Sequence, residues 1–318
     1  MSDLGAWLIG RARELGFDDA AVVPADTLLP DAEHVREGVL AGRMGPMAWM
    51  SATLEQRVDL KKRLPWAQGV LVVLSNYWAG DHETHVASLQ GKAKVSRYAW
   101  GQDYHHVLRR KLRRLRKELL ERVPAGARCA PFNDVDAVLE RAWAQAAGLG
   151  FIGKSAMLIH RNAEGGTGLG TWTFIGGLVT DVHLGPRTRP LVTDACGSCT
   201  ACLDACPTQA ILSPRVVDAN RCLVTWNVEE PAAAEGDAEG MTGHGWAVGC
   251  DVCQEVCPWN NKLTQVTVEP RFLPKEGHVA FGPDDAPADV QGTPLARPGK
   301  DALPSLAARA LAQRASKS

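Results

Sequence analysis

Hydrophobic and polar positions follow two different periods along the first 190 residues. A period near 3.6 predicts amphipathic helices, whereas short continuous apolar runs predict buried strands. The sequence therefore predicts helices over 3–16, 104–122 and 137–147, and strands over 20–23, 69–75 and 172–181. Helices and strands that alternate in this way indicate an α/β or α+β domain.

The helix predicted over 104–122 has the clearest pattern. Its leucines recur at spacings of four, three and four residues and form one apolar stripe: Leu108, Leu112, Leu115 and Leu119. The other faces carry a run of basic residues: Arg109, Arg110, Lys111, Arg113, Arg114, Arg116 and Lys117. Such a run is usually a solvated helix face, so we take solvation as the first interpretation and phosphate binding as the alternative.

The sequence pattern changes near residue 194, where short turns and helices that contain cysteines begin. Residues 229–245 are a low-complexity surface loop, and 275–300 are expected to be largely irregular or mobile. A short helix is predicted within 301–314. We therefore divide the chain into three parts with these boundaries: 1–190, 191–262 and 263–318.

Composition and charge exclude several classes of protein. The 318 residues include 45% hydrophobic ones and have a formal net charge of −1, which gives no global reason to expect a polyanionic partner. No run approaches the roughly 18 uninterrupted apolar residues that could span a bilayer. Charges interrupt the apolar N-terminal stretch, so it is unlike a signal peptide. We expect a cytoplasmic protein with no membrane partner.

The nine cysteines are unevenly placed. Cys129 stands alone and is predicted to be a buried apolar thiol. The other eight fall between 196 and 257. Because cytosolic proteins seldom keep structural disulfides, such a dense group indicates metal binding.

Two cysteine strings carry this chemistry. The first is Cys196-x2-Cys199-x2-Cys202-x3-Cys206-Pro207. The second is Cys250-x2-Cys253-x3-Cys257-Pro258, and Cys222 upstream supplies its missing first position. In bacterial ferredoxins the last cysteine of such a run binds the other cluster. The sequence thus predicts two [4Fe–4S] clusters with crossed ligands: Cys196, Cys199, Cys202 and Cys257 for the first cluster, and Cys206, Cys222, Cys250 and Cys253 for the second.

The alternative to iron–sulfur binding is one or two structural zinc sites, which also use C-x2-C pairs. Zinc pairs are usually isolated, whereas here a C-x2-C-x2-C-x3-C-P run is followed by a second C-x2-C-x3-C-P run. The pattern favours iron–sulfur clusters.

Motifs outside the first cysteine string resemble those of epoxyqueuosine reductases. Residues 96–105 (SRYAWGQDYH) are similar to the RYA-x-G-x-DYH signature of that family. Residues 138–140 (VLE) leading to 147–154 (AGLGFIGK) resemble a second family block, and 249–260 (GCDVCQEVCPWN) resemble its second cluster motif. An earlier block is resembled by 47–50 (MAWM), Arg57 and Leu64-Pro65. The resemblance covers about residues 3–262.

This resemblance implies a fold and an activity. The fold would be α+β, with a cobalamin-binding catalytic domain in 1–190, similar to cobalamin-processing and reductive-dehalogenase proteins, followed by a two-cluster module like bacterial ferredoxins in 191–262. The activity would be reduction of epoxyqueuosine to queuosine at the wobble position of the tRNA anticodon stem-loop. The clusters would deliver electrons to base-off cobalamin from an external low-potential donor such as flavodoxin or ferredoxin. A monomer is expected.

The resemblance also implies site residues. By register, Asp134 would be the acid that protonates the departing oxygen. The cobalamin contacts would be Arg57, Tyr98, Asp134, Lys154, Ser155 and Gln254.

Two carboxylates compete for the role of the acid, because the turn reads Asp134-Val135-Asp136-Ala137. Asp136 is predicted to cap the helix that begins near 137, which leaves Asp134 free. A carboxyl that donates a proton near neutral pH needs a pKa raised by burial. We therefore expect the pKa of Asp134 to be raised.

The chain departs from the family after residue 262, where an arginine-rich helical C-terminus that grips tRNA is not recognisable. Two other functions therefore compete with tRNA modification. One is a cobalamin-dependent reductase of a small molecule, similar to reductive dehalogenases. The other is a two-cluster electron-transfer protein whose N-terminal domain is only a docking module.

Overall fold

The computed structural model describes residues 4–161, 168–231, 242–261 and 265–312. Its α-helices are α1 Leu4–Glu14, α2 Asp31–Leu40, α3 Ala48–Ala52, α4 Leu54–Val58, α5 Leu60–Arg63, α6 Tyr104–Leu120, α7 Glu140–Ala146, α8 Ala201–Ala205, α9 Val252–Glu255 and α10 Leu303–Leu311. Its strands are β1 Asp19–Pro24, β2 Gly69–Asn76, β3 Ala93–Val95, β4 Cys129–Asn133, β5 Gly150–Ile152, β6 Leu158–His160, β7 Thr173–Thr180, β8 Ile211–Ser213, β9 Val216–Val217, β10 Trp246–Val248 and β11 Ala280–Phe281.

The main sheet has the strand order β1-β2-β7-β4, and all its neighbours are antiparallel. Both central strands, β2 and β7, are buried along their whole length. Gly177 of β7 lies where strands pack closely, because a Cβ atom there would stand 2.1 Å from the carbonyl oxygen of Leu71. The sheet with its helices confirms the predicted α+β fold.

Helices cover both faces of this sheet. On one face, Leu71 and Leu178 pack with α1 and with the leucine stripe of α6, so the predicted burial of Leu108, Leu112, Leu115 and Leu119 is confirmed. On the other face, Val72 and Val179 pack with Trp143 of α7. The alternation of side chains along each strand assigns successive residues to these two cores.

The predicted start of the third helix was wrong. Residues 137–139 precede the helix, which begins at Glu140, and its N-cap Leu139 offers no side-chain hydrogen bond. The Asp136 carboxylate is engaged elsewhere, because it accepts a hydrogen bond from the Asn133 amide at 3.1 Å. The predicted glycine end of this helix is confirmed, since Gly148 has φ +78°.

A third core joins segments that are distant in sequence. Strand β3 pairs in parallel with β10 and antiparallel with β11. Trp100, Val248, Phe281 and Leu303 are buried together in this core. Residues 275–300 contain few regular elements, as expected, but Ala280–Phe281 adds a strand to this sheet. The core draws on all three predicted parts of the chain, whose boundaries near 190 and 262 stay a prediction.

Across the described ranges, every helix is too short or too polar to cross a bilayer.

Candidate active site

All nine cysteines lie in the described ranges as free thiols. Cys129 is 7% exposed on β4, and burial raises its pKa to about 12, so the predicted buried thiol is confirmed. Seven of the other eight lie in or beside α8 and α9, two short helices that pack against each other, and Cys222 follows β9. The two cysteine strings are therefore neighbours in space.

The first predicted quartet is brought together by these loops. Burial raises the pKa of Cys202, and the thiols of Cys257, Cys196 and Cys199 raise it further. Burial likewise raises the pKa of Cys257, with added contributions from Cys196 and Cys199. Like charges shift one another's pKa only at close range. Cys257, although it belongs to the second string, thus lies with the first three cysteines, as the crossing pattern predicts.

The second predicted quartet is also a spatial neighbourhood. Burial raises the pKa of Cys222, and Cys206 raises it further. Burial raises the pKa of Cys253, and Cys222 and Cys206 add to that shift. Burial also raises the pKa of Cys250, and Cys253 and Cys222 raise it further. Cys206 therefore lies beside the second string. The crossed assignment of ligands itself stays a prediction.

Lys154, predicted as a cobalamin contact, lies at the loop of the first cysteine quartet. Its Nζ donates to the carbonyl oxygens of Gly197 at 2.6 Å and Cys199 at 2.9 Å. Its backbone amide also hydrogen-bonds the Cys196 thiol and lowers the pKa that burial has raised. Ser155 follows in the turn between β5 and β6 and is partly exposed.

Asp134 lies directly after β4 and faces the first turn of α6. Its Oδ2 accepts a hydrogen bond from the Tyr104 hydroxyl, and its Oδ1 lies 3.0 Å from His105 Nε2. The other ring nitrogen of His105 lies 2.6 Å from Asp103 Oδ1. The Asp134 side chain is 38% exposed, while its Oδ1 atom is buried.

The expectation that burial raises the pKa of Asp134 was wrong. Burial does push this pKa upward, but the hydrogen bond and charge of His105, together with the Tyr104 hydroxyl, lower it overall. For His105, burial lowers the pKa, yet hydrogen bonds to Asp103 and Asp134 outweigh it and raise the pKa to about 9. At neutral pH the imidazolium therefore carries the proton and Asp134 is ionised.

A carboxyl with a raised pKa does occur nearby, at Glu140. Burial raises the pKa of Glu140, the charge of Asp134 raises it further, and Arg141 and Arg57 oppose both. Neither His105 nor Glu140 was selected from the sequence, although both stand in the motifs that carry the family resemblance. The DYH and VLE motifs were the sequence signals that could have identified these two residues.

Asp136 has a structural role different from the predicted cap. Its two carboxylate oxygens accept hydrogen bonds from Arg63 at 2.7 Å and Arg109 at 3.0 Å. Its carbonyl oxygen accepts one from Arg57 at 3.2 Å. Asp136 thus ties α5, α6 and Arg57 to the turn that bears Asp134.

Arg57 and Tyr98 are two more predicted cofactor contacts. The Arg57 guanidinium is buried, lies 4.9 Å from the centre of the Trp49 ring and has a pKa lowered by burial. Tyr98 makes an edge-to-face contact with Tyr104 at 6.3 Å, which places it near Asp134.

Gln254 is buried in the polar network of the second cysteine string. Its Oε1 accepts hydrogen bonds from Thr171 at 2.9 Å and Tyr77 at 3.3 Å. Gln254 and Lys154 thus lie near the cysteines. Tyr98 lies between the two groups, because its ring is close to Gly249, directly before Cys250, and also contacts Tyr104.

A basic groove opens on α6, and Arg109, one of its lining residues, pairs with Asp136 in the turn that bears Asp134. The groove is a cavity of about 300 Å³ lined by His106, Arg109, Arg110 and Arg113. Several other basic side chains of α6 are occupied: Lys111 pairs with Glu269, and Arg116 donates to the Cys129 carbonyl. Arg110 and Arg113 form no ion pair with any described residue. The groove can therefore bind an anion.

Two family models match the chain. The model described as "Epoxyqueuosine reductase QueG, DUF1730" matches residues 57–135, which include Asp103, His105 and Asp134. The model described as "4Fe-4S double cluster binding domain" matches residues 195–260, which include all eight clustered cysteines. The second match identifies this segment as a double [4Fe–4S] domain.

Relatives and solved structures cover most of the chain. An epoxyqueuosine reductase of Synechocystis sp. is 39% identical over 249 residues, which are 78% of this chain and 81% of that protein. An epoxyqueuosine reductase solved with an epoxyqueuosine-modified tRNA-Tyr stem loop is 25% identical, with a TM-score of 0.77 over 97% of this chain and 80% of that one. A Bacillus subtilis epoxyqueuosine reductase, solved with its aspartate catalytic loop swung out of the active site, has a TM-score of 0.78 at 25% identity over 97% of this chain and 81% of its own. This chain belongs to the epoxyqueuosine reductase family.

Proposed function

We propose that this protein is an oxidoreductase that reduces epoxyqueuosine to queuosine at the wobble position of the tRNA anticodon, with electrons delivered through two [4Fe–4S] clusters to cobalamin. The observation that carries the proposal is that the two ring nitrogens of His105 lie 2.6 Å from Asp103 Oδ1 and 3.0 Å from Asp134 Oδ1. These residues stand in the segment matched by the family, and His105 lies on the helix that bears a basic groove. The relative solved with an epoxyqueuosine-modified stem loop supports the substrate.

Cobalamin fits the polar groups around Asp134. Asn133 is fully buried, and both polar atoms of its side chain have no hydrogen-bond partner among the described residues. Within the same set, Nη1 of Arg63 and Nε of Arg109 are also buried without partners. Buried polar groups are almost always hydrogen-bonded, so these atoms suit a ligand rich in amides. Arg57, Tyr98 and Asp134 would line this ligand, and Lys154, Ser155 and Gln254 would lie toward the cysteine loops.

The reaction requires two electrons and two protons for each epoxide. The C–O bonds break, a C=C bond forms, and the oxygen leaves as water. Bound cobalamin would supply the strongly reducing centre, and the clusters would replenish its electrons. The residues of this chain must supply the proton for the departing oxygen, because an oxygen that leaves without a proton is a poor leaving group.

His105 and Asp134 supply one of the two protons, and solvent water supplies the other. The imidazolium of His105 holds a proton at neutral pH, and its Nε2 lies 3.0 Å from Asp134 Oδ1. Asp134 takes this proton and passes it to the departing oxygen, so that a carboxylate with a lowered pKa still acts as the immediate acid. Burial and the Asp134 charge raise the pKa of Tyr104 well above its usual value, so its hydroxyl stays protonated and orients Oδ2.

The basic groove would bind the phosphate backbone of the anticodon stem-loop. Lys and Arg contacts to phosphates release counterions and dominate the affinity for nucleic acids. Arg110 and Arg113 are available for such contacts, and they lie one to three helical turns from His105 on the same helix. An external low-potential donor, a cytoplasmic location and a monomeric state belong to the same proposal.

Nucleoside analysis tests this function. tRNA from a strain that lacks the gene should accumulate epoxyqueuosine, and the wild-type gene should restore queuosine, whereas the Asp134→Asn gene should not. Unchanged queuosine in the deletion strain, together with cobalamin binding by the purified protein, would favour the small-molecule reductase. Absence of cobalamin binding would favour the electron-transfer protein.

A further inference from the structure

Arg97 is a buried cation enclosed by aromatic rings. It is 3% exposed, in the short 3₁₀ helix Arg97–Ala99. Its guanidinium carbon lies 5.0 Å from the ring centres of Trp78 and Trp172 and 5.4 Å from that of Trp100. Burying a charge costs free energy unless the charge is paired. The partners of Arg97 therefore indicate its role.

These partners come from the second cysteine string. Nη1 of Arg97 donates to Asp251 at 3.1 Å and to Glu255 at 2.7 Å. Asp251 follows Cys250 directly, and Glu255 lies between Cys253 and Cys257. The remaining nitrogens donate to Gly80 and Asp81 in the N-terminal part of the chain. One guanidinium thus connects the two halves of the molecule at the cysteine loop.

Asp251 is held from several sides. Its carboxylate is fully buried and accepts hydrogen bonds from the Arg97 amide at 2.8 Å, from the Ser96 hydroxyl and from Gln254 at 3.3 Å. One further cation faces Glu255, because Lys94 lies 3.8 Å away. The imidazole of His82 lies 3.7 Å from Glu255, and burial lowers its pKa. The Arg97 charge is therefore the central member of a buried set that adjoins two cysteines of the second quartet.

We propose that Arg97 is a positioning residue for the second cluster. Arg97 holds the Cys250–Cys253 loop through Asp251 and sets the reduction potential of that cluster. The inference rests on the proposed cluster ligands, but not on cobalamin or on tRNA. A planar guanidinium suits this task, because it presents several donors in fixed directions and stays charged.

The sign of the electrostatic effect follows from the charge of the cluster. Reduction adds one negative charge, and a buried cation nearby stabilises that reduced state. Removing the cation lowers the reduction potential of the adjacent cluster. Removing the negative charge of Glu255 raises it. The first cluster takes three of its four predicted ligands from the first cysteine string, which supplies none of the Arg97 partners given above, so it is affected less.

Three variants of the reconstituted full-length protein test the proposal: Arg97→Gln, Arg97→Lys and Glu255→Gln. Arg11→Gln is the matched control, since Arg11 is a partly buried arginine of α1 that pairs with Glu118 of α6. Each protein is titrated anaerobically, and the two clusters are followed by EPR and visible absorbance, with iron and sulfide counted per chain.

Arg97→Gln should lower the potential of one cluster selectively, Arg97→Lys should restore it toward wild type, and Glu255→Gln should shift it upward. Arg11→Gln should change neither potential. Fully loaded Arg97→Gln with both potentials unchanged would overturn the proposal. If Arg97→Gln loses its clusters, Glu255→Gln decides, and an unchanged potential there overturns the proposal as well. Wild-type protein that binds zinc instead of iron would remove the proposed clusters themselves.

Discussion

His105 and Asp134 form an ion pair, with 3.0 Å between His105 Nε2 and Asp134 Oδ1, at the junction of α6 and β4. The second ring nitrogen of His105 is held by Asp103, which also accepts a hydrogen bond from the His105 amide at 2.9 Å. The imidazole is thus fixed between two carboxylates. This arrangement gives the site a proton that neither carboxylate could hold at neutral pH.

Asp134→Asn should abolish most turnover while cofactor binding remains. The amide keeps the shape of the side chain but cannot carry the proton, and loss of a general acid costs about 10²–10⁴-fold in rate. The measurement is anaerobic turnover of epoxyqueuosine-containing stem loop, with iron and cobalamin content determined on the same sample. Asp181→Asn is the control, because Asp181 pairs with Arg128 at the opposite end of β4. Full activity of Asp134→Asn would exclude it as the acid.

Asp136→Asn should lower stability rather than remove a proton donor. The variant loses the charge that pairs with Arg63 and Arg109 and leaves two arginines imperfectly partnered. Breaking a largely buried ion pair costs on the order of 3 kcal/mol. Chemical unfolding measures this loss, and turnover per folded molecule should fall much less than in Asp134→Asn. If Asp136→Asn were as inactive as Asp134→Asn and as stable as wild type, Asp136 would be the acid and Asp134 the structural carboxylate.

The His105 pair should give a pH dependence in the alkaline range. Its pKa is raised to about 9, from an ordinary value of about 6.5. Since the folded-state pKa is raised, the added stability is fully present below about pH 6.5 and is lost as the pH rises through about 9. Turnover should also fall as the pH rises through about 9, because His105 loses its proton.

His105→Gln tests this explanation. The difference in unfolding free energy between wild type and His105→Gln should shrink from pH 6.5 to pH 9.5, and the turnover of the variant should be low and flat over that range. A control is His183→Gln, which alters an exposed histidine. If His105→Gln kept the alkaline limb of wild type, another group would control it.

The cluster wiring predicts about eight irons and eight acid-labile sulfides per chain after anaerobic reconstitution. Cys257→Ser and Cys199→Ser should leave the same residual EPR signal, because both remove a ligand of the first cluster. Cys206→Ser and Cys253→Ser should share a different signal. Cys129→Ser, at the buried cysteine on β4, should retain both clusters. Stoichiometric zinc without broad absorbance near 400 nm would contradict the iron–sulfur assignment.

The groove on α6 should contribute to tRNA affinity. Arg110→Glu and Arg113→Glu should weaken binding of the stem loop, and each lost phosphate contact should reduce the slope of log K against log salt by about 0.7–0.9. Arg114→Glu is the matched control, because Arg114 is exposed on the same helix and pairs with Glu118. Binding is measured by fluorescence anisotropy. Equal binding by all three variants would show that this face of α6 is a solvated surface that does not contact tRNA.

Patterns that are short in sequence were predictable from sequence. The leucine stripe of α6 repeats within a few residues, and the two cysteine strings use spacings of two and three residues. The crossed ligand assignment inferred from these spacings stays a prediction. A helix or a cluster loop is specified locally by such spacings, so their positions could be inferred before any tertiary contact was known. The DYH motif likewise located the site, although the role of His105 within it was not visible.

Only the tertiary structure decided which charges meet. Asp136 seemed a helix cap from its neighbours in sequence, but Arg63 and Arg109 arrive from α5 and α6 and bind it instead. Arg97 reaches Asp251 across 154 residues. The pKa of Asp134 depends on burial set against His105, 29 positions away in the chain. Ionisation is the sum of desolvation and of charges from separate elements, and that sum exists only when the chain has folded.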